Sequence, residues 1–254
     1  LQLRAQYSGE PVDGFARRGA AVVIHDGDYK PATRHPHDLS SWCALALCNH
    51  RFDRSAWRVP ALHWPYFAFA QDRIAAPSPE WRCDLFFAGQ LSRDPVYAAR
   101  TAFLDSLLRR GVRLRTPDQA REGNTLFRTA EIAASADAVL GFGRPGAIGL
   151  FGRERVDSGW VDTRVFQYPG AGAVLLHDDV AGFLEPWTHY VPYQSRDHES
   201  VVEVLDRLRG MQATAMGRCD LRELRERAFR FVQEKHSSVA RVRQVLGALE
   251  LPCA

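Results

Sequence analysis

From residue 83 onward, short apolar runs alternate with longer segments whose apolar residues recur every three or four positions. The runs cover residues 83–88, 112–114, 138–140 and 173–176, and the helical segments cover residues 97–110, 126–136, 200–208, 221–232 and 239–249. An apolar run bounded by turn residues predicts a strand buried on both faces, and helical period predicts an amphipathic helix. Their alternation predicts an α/β fold with a doubly wound parallel sheet.

The first 80 residues carry a weaker form of the same pattern. Apolar runs at 19–24 and 42–47 predict two further strands, and the proline-containing stretch 75–79 predicts a linker. We therefore expect a smaller N-terminal α/β portion, residues 1–80, followed by a regular domain, residues 81–254.

Composition limits the partners of this chain. Its 33 Lys and Arg against 30 Asp and Glu give a net charge of +3, too small to indicate general binding of nucleic acid. Lysine occurs only at Lys30 and Lys235, so nearly all the cations are arginines, which suit bidentate contacts with phosphate. High-GC coding is the alternative explanation of this bias, so each arginine must be judged by its position.

The cysteines and histidines give no sign of a metal site. The five cysteines are scattered without a C-x-x-C pair, and the nine histidines lack the spacing of metal ligands. An odd number of cysteines also disfavours a disulfide framework, and no apolar run is long enough to cross a membrane. These features predict a soluble, cytoplasmic protein without a bound metal.

Ligands of a doubly wound sheet bind beyond the carboxyl ends of its strands. The run 83–88 is followed by Gly89 and then by Arg93, and the run 173–176 is followed by His-Asp-Asp at 177–179. A glycine turn that leads into a helix favours anion binding by backbone N–H groups. The glycine-rich segment 141–149 matches neither G-x-G-x-x-G nor the Walker A pattern, which disfavours a dehydrogenase and a P-loop enzyme.

The stretch 163–176, TRVFQYPGAGAVLL, combines an arginine, an aromatic residue and a polar residue with a glycine turn and an apolar strand. It resembles the C-terminal half of GT-B glycosyltransferases, in particular the bacterial group with CgeB-like or "glycosyl transferases group 1" domains, with a weaker similarity to exostosin-like transferases. Residues 84–89 with Arg93 are similar to the strand and turn that begin the donor domain of that family. The resemblance covers about residues 83–246.

The resemblance implies a Rossmann-like fold of GT-B type and a glycosyltransferase. Such an enzyme moves a sugar from a nucleotide-diphosphate donor to a hydroxyl of a glycan, lipid or protein. Residues 1–80 would then face the acceptor, and residues 81–254 would hold the donor. The resemblance also implies metal-independent chemistry, no cofactor besides the donor substrate, and no nucleic-acid or integral membrane partner.

The family pattern also implies roles for single residues. Arg164, at the entrance of a short helix, is the expected catalytic contact with the diphosphate, and Arg93 is the second choice. Gln167 stands where the family commonly has a glutamate that binds ribose or sugar hydroxyls, and an amide still donates and accepts hydrogen bonds. The other expected donor contacts are the turn residues Gly89, Gly170, Ala171 and Gly172.

An inverting transferase also needs a general base for the acceptor hydroxyl. Asp26 and Asp28, at the end of the first predicted strand, are the candidates, followed by His25 and His63. The Asp-Gly-Asp segment is more typical of a plain turn than of a catalytic site, and a retaining enzyme needs no such base. A different interpretation of the whole chain is a non-catalytic module that binds sugar nucleotides. The departure at Gln167 and the short N-terminal portion favour that alternative.

Overall fold

The computed structural model describes residues 23–26, 44–48, 60–64, 67–89, 95–116, 126–142, 162–178, 180, 182–194 and 197–250. Packing divides the chain into two compact units. The first unit comprises Leu1–Pro65, Asp157–Trp160 and Arg241–Ala254, and the second comprises Tyr66–Val156 and Val161–Ala240.

The segment from residue 67 to residue 80 belongs to the second unit because its backbone is bonded there. The Ala68 N–H donates to the carbonyl of His236 at 2.9 Å, and the Ala75 N–H donates to the carbonyl of Ala171 at 3.0 Å. The boundary between the two units therefore lies at residue 65, whereas the sequence predicted it at residue 80. The acceptor and donor roles of the two parts stay predictions.

The first unit contains a small parallel sheet. Within the described residues it has three strands, β1 (Val23–Asp26), β2 (Leu45–Cys48) and β3 (Ala61–His63), in the order β1-β2-β3. The side chains of Leu45 and Ala46 are fully buried. The third strand lies in a segment where proline and aromatic residues gave no strand signal, so it was not predicted.

The second unit is built on a longer parallel sheet. Its strands in the described part of the chain are β4 (Cys83–Phe86), β5 (Leu114–Arg115), β6 (Ala136–Leu140), β7 (Leu175–His177) and β8 (Val191–Pro192). Their order is β5-β4-β6-β7-β8, and every pair is parallel. The first strand of this unit, β4, lies inside the sheet. The chain therefore adds strands on both sides of β4, as the alternating pattern predicted.

Six α-helices are described, and most lie within two residues of the predicted segments. They are α1 (Pro95–Arg109), α2 (Leu126–Ser135), α3 (Arg164–Gln167), α4 (His198–Ala213), α5 (Ala215–His236) and α6 (Ser238–Ala248). Side chains fix two of their beginnings: the Asp197 carboxylate accepts the Glu199 N–H, and the Thr214 hydroxyl accepts the Gly217 N–H. None of the helices in the described part of the chain has the length and apolar character that crossing a bilayer requires.

Apolar side chains cover both faces of the second unit's sheet. On one face, Phe86, Val139 and Leu175 pack with residues of α2, α3 and α5. On the other face, Leu140 and Leu176 pack with residues of α1, α4 and α5. Burial on both faces confirms the doubly wound α/β class and holds the strand ends in place.

One carboxylate is buried near the amino end of β4. Asp84 is 2% exposed, and its oxygens accept the Arg113 backbone N–H at 2.8 Å and Nε at 2.9 Å and pair with Arg209 Nη2 at 2.9 Å. Burial alone would raise the pKa of Asp84, but hydrogen bonds from Arg113 and the charge of Arg209 outweigh it and lower the pKa.

We predict that Asp84→Asn lowers the free energy of unfolding by about 2 kcal/mol at neutral pH, since charged hydrogen bonds are lost. A carboxylate with a lowered folded-state pKa stabilises the fold above its unfolded pKa of about 3.9, and this contribution is lost as pH falls through the folded pKa. Urea unfolding at pH 7 and pH 3 should therefore show the gap between wild type and variant closing on acidification. A gap that stays constant contradicts the assignment.

Candidate functional site

The carboxyl ends of parallel strands lie on one edge of a sheet, and in the second unit the residues that follow these ends are described. Beyond β4 come Phe87, Ala88 and Gly89. Gly141 follows β6, and His177 is the last residue of β7. Residues that are distant in sequence therefore lie together at the carboxyl edge of the sheet.

Arg164, the first residue of α3, is anchored at this edge. Its Nε and Nη2 atoms contact the two carboxylate oxygens of Asp162 at 2.9 and 2.7 Å, which is a bidentate ion pair. Its Nη1 donates to the carbonyl of Ala88 at 3.2 Å. The side chain of Arg164 thereby links the beginning of α3 to the turn after β4.

The Asp162–Arg164 pair is ionised on both sides. Burial alone would raise the pKa of the Asp162 carboxyl, but the charge and hydrogen bonds of Arg164 hold it below its usual range. Burial likewise opposes the charged form of Arg164, yet the Asp162 carboxylate raises the arginine's pKa. The guanidinium is therefore charged at any physiological pH, with a compensating anion beside it.

Gly89 lies directly against Arg164. A Cβ at this position would overlap the ring of Phe87 and would lie 2.5 Å from Nη1 of Arg164. The ring centroid of Phe87 is also 5.6 Å from the Arg164 guanidinium carbon. Only glycine lets the backbone pass this close to the guanidinium without displacing a side chain.

A second buried polar group lies at the ends of β6, β7 and β8. His177 is 1% exposed, and its Nδ1 is 3.5 Å from a carboxylate oxygen of Asp178. The Tyr193 hydroxyl donates to the carbonyl of Gly141 at 3.0 Å, and burial raises the pKa of Tyr193. A Cβ on Gly141 would overlap the His177 ring, so glycine is required here for the imidazole to fit.

Two arginines approach the ring of Phe87. The guanidinium carbon of Arg100, on α1, is 5.6 Å from the centroid of Phe87 and 5.6 Å from that of Phe142. Arg164 approaches the same Phe87 ring. Cation–π contacts of this kind hold guanidinium groups next to aromatic faces, so two guanidinium groups lie near the Phe87 ring, and that of Arg164 is paired with Asp162.

Comparison with known proteins assigns the chain to a family. A family model described as "Glycosyl transferase-like" matches residues 97–247, more than half of the chain. The chain belongs to this glycosyl transferase-like family. Family membership confirms the predicted enzyme class, a glycosyltransferase. No curated protein matches the sequence.

Solved structures with the same fold are themselves glycosyltransferases or carry sugar nucleotides. HepE of Anabaena in complex with UDP and glucose is 9% identical over 94% of this chain and 74% of the HepE chain, with a TM-score of 0.56. A glycosyltransferase from Rickettsia africae is 8% identical over 93% of this chain and 78% of that one, with a TM-score of 0.52. At such identities the likeness concerns the fold, and the expected Rossmann-like, GT-B type fold is confirmed.

In this glycosyl transferase-like chain, the structure brings together some of the residues predicted for the site. Gly89 and Arg164 are adjacent, as described above. Arg93 lies outside the described residues. Asp26 is the last residue of β1 in the first unit, and only its backbone is described. Their predicted roles stay predictions.

Gln167 lies at the other end of α3 from Arg164. It lines a small crevice with Phe69, Gln71, Thr129, Ala130 and Tyr168. Among these lining residues, Phe69 is 41% exposed.

The glycine turn after α3 is packed inside the second unit. A Cβ on Gly170 would lie 2.6 Å from that of Ala68, and the Gly170 carbonyl accepts a hydrogen bond from Gln233 at 2.8 Å. Gly172 has a left-handed φ of 85°, and Ile74 fills the space beside it. Ala171 is fully buried. In the described residues these small side chains serve close packing of the 67–80 segment and of α5.

Sequence reasoning missed Asp162, Arg100 and Tyr193 at this edge. The spacing Asp-x-Arg at 162–164 was the available signal for the ion pair, because it allows a carboxylate to accept the backbone N–H of the arginine. Arg100 resembled any other polar residue on an amphipathic helix. Among the described residues, no three His, Cys, Asp or Glu side chains lie together as metal ligands, and metal independence stays a prediction.

We predict that Gly89→Ala destabilises the protein by about 1 to 3 kcal/mol, because the fully buried Phe87 ring cannot move aside easily. The matched control is Gly210→Ala in α4, where a Cβ meets no atom within 4 Å. That variant should be stabilised by about 0.5 to 1 kcal/mol. Chemical unfolding of both variants measures the contrast, and equal effects would show that the Gly89 turn has room for a side chain.

Proposed function

We propose that this glycosyltransferase uses a nucleoside-diphosphate sugar as donor and a hydroxyl group as acceptor, and that the diphosphate binds beside Gly89 and Arg164. The main support is the position of the Arg164 guanidinium, held against the Ala88 carbonyl at the carboxyl edge of the sheet. Family membership and the bound UDP in HepE are consistent with it.

The chemistry of sugar transfer explains why a guanidinium is useful there. When the bond from the anomeric carbon to the phosphate oxygen breaks, its electron pair stays on the departing diphosphate, whose negative charge increases. Of the five N–H groups of Arg164, Asp162 accepts two and Ala88 accepts one. Within the described part of the chain the other two N–H groups have no acceptor, and we assign them to the leaving group.

Other parts of the donor would be bound by neighbouring residues. We assign Arg93 as a second contact with the diphosphate, and Gln167, in its crevice, as the contact with ribose or sugar hydroxyls. The turn Gly170–Gly172 is assigned a supporting role: its close packing places α3 and therefore Arg164. A glycan, lipid or protein hydroxyl is the proposed acceptor.

The proposal also includes the conditions of the reaction. Transfer is proposed to need no metal ion, because arginine supplies the positive charge. A bacterial cytoplasm is the proposed location, and the scattered cysteines of the sequence are consistent with a reducing compartment. A chain that binds donors without turnover would instead be the non-catalytic module considered above.

The test is calorimetric binding of UDP, GDP, ADP and TDP, followed by assays of the corresponding sugar nucleotides with EDTA or with Mg²⁺. We expect one nucleoside diphosphate to bind, and Arg164→Ala to weaken it at least tenfold, about 1.4 kcal/mol. Arg209→Ala, which removes a partner of Asp84 near the amino end of β4, is the control and should bind normally. Equal affinity of folded Arg164→Ala and wild type would reject the site, and activity lost in EDTA would reject metal independence.

For the general base we propose Asp26. Asp26→Asn should leave donor affinity unchanged and lower transfer by about 100-fold or more, the usual contribution of general base catalysis. Asp28→Asn is the neighbouring comparison. Transfer retained in Asp26→Asn would exclude Asp26 as the base, whereas a loss in both variants would indicate a general effect on the segment.

A further inference from the structure

The carboxylate of Asp162 is an unexpected neighbour for a diphosphate. Its side chain is 9% exposed and that of Arg164 is 18% exposed, so little water screens the pair. A buried anion next to the binding group repels a bound diphosphate and cancels much of the attraction of the guanidinium. The Asp162–Arg164 pair therefore does not give the strongest possible attraction for a bound diphosphate.

The contacts of Asp162 instead fix the orientation of the Arg164 guanidinium. One carboxylate oxygen accepts both the backbone N–H of Arg164 at 2.6 Å and its Nε–H at 2.9 Å, and the other oxygen faces Nη2 at 2.7 Å. Together with the Ala88 carbonyl and the Phe87 ring, these contacts hold the guanidinium from several sides. An arginine held in this way loses little conformational entropy when a ligand arrives.

We propose that Asp162 is a positioning residue for the leaving group, which fixes the Arg164 guanidinium beside Gly89 so that its two remaining N–H groups act as charge develops on the diphosphate. This inference rests on the proposed function. In the balanced step, the acceptor oxygen bonds to the anomeric carbon and gives its proton to the base. The phosphate oxygen leaves with the electron pair of the broken bond, and Arg164 stays protonated throughout.

A positioning role has a kinetic signature that a structural role lacks. Interactions that strengthen only in the transition state raise kcat, whereas attraction in the ground state lowers the dissociation constant of the donor. Asp162→Asn keeps an oxygen acceptor but removes the negative charge. Diphosphate affinity should then stay equal or rise a few-fold, while kcat falls about tenfold or more because the guanidinium is less firmly held.

The chain offers a matched control for this experiment. Asp84 is also a buried aspartate that pairs with arginine side chains and accepts a backbone N–H, but it lies near the amino end of β4. Asp84→Asn should lower the unfolding midpoint while kcat and KM, corrected for the folded fraction, stay within about twofold of wild type.

The decisive experiment compares wild type, Asp162→Asn and Asp84→Asn in calorimetric binding of the tightest nucleoside diphosphate among UDP, GDP, ADP and TDP, and in turnover of its sugar conjugate. A fall in kcat without weaker binding, found in Asp162→Asn alone, supports the inference. Unchanged kcat in Asp162→Asn, or losses in affinity and rate that match those of Asp84→Asn, overturns it.

One additional variant and the behaviour of the wild-type protein complete the test. If Asp162→Asn does not fold, Asp162→Glu retains the charge but displaces it by one methylene, and it should lower kcat while diphosphate affinity stays within about twofold. Wild-type kinetics in that variant would overturn the inference. If wild type itself neither binds a nucleoside diphosphate nor turns over a donor, the proposed function fails and the inference fails with it.

Discussion

The parallel hydrogen bonding of the second unit's sheet determines where its chemistry can take place. Because β4, β6, β7 and β8 run in one direction, their carboxyl ends meet at a single edge, and peptide groups from distant parts of the sequence are presented together. Apolar packing covers both faces of the sheet, and polar groups lie at its amino and carboxyl ends. The amino edge has an aspartate and two arginines that stabilise the fold, and the carboxyl edge has the arginine that we assign to the donor.

The two buried aspartates form the same kind of ion pair in different surroundings. Asp84 and Asp162 both accept hydrogen bonds from arginine side chains and from backbone N–H groups. The arginines around Asp84 are largely exposed, so water shares their charge, whereas Arg164 is enclosed with its partner. A charge that is enclosed and rigid interacts strongly with a nearby ligand, since the surrounding dielectric is low and no reorganisation is needed.

The likeness to HepE at 9% identity illustrates which features a fold preserves. A doubly wound sheet requires apolar strands, amphipathic helices and close turns, and many sequences satisfy these requirements. The chemistry at the carboxyl edge of the sheet depends on particular side chains. These side chains differ among proteins of this kind, since Gln167 stands where the resemblance leads us to expect a glutamate. Conclusions about donor and acceptor therefore depend on the chemistry of this edge more than on the shared architecture.

The sequence by itself determined the layered α/β class, the positions of most helices and strands in the second unit, and the family, because apolar periodicity and the Arg-aromatic-polar-glycine stretch are local patterns. It also indicated Gly89 and Arg164 separately. Only the tertiary structure decided that these two residues touch, that Asp162 neutralises the arginine, that Gly170 and Gly172 serve packing, and that β3 is a strand. Such outcomes depend on which distant segments meet, and local periodicity carries no information about contacts between residues separated by about 80 positions.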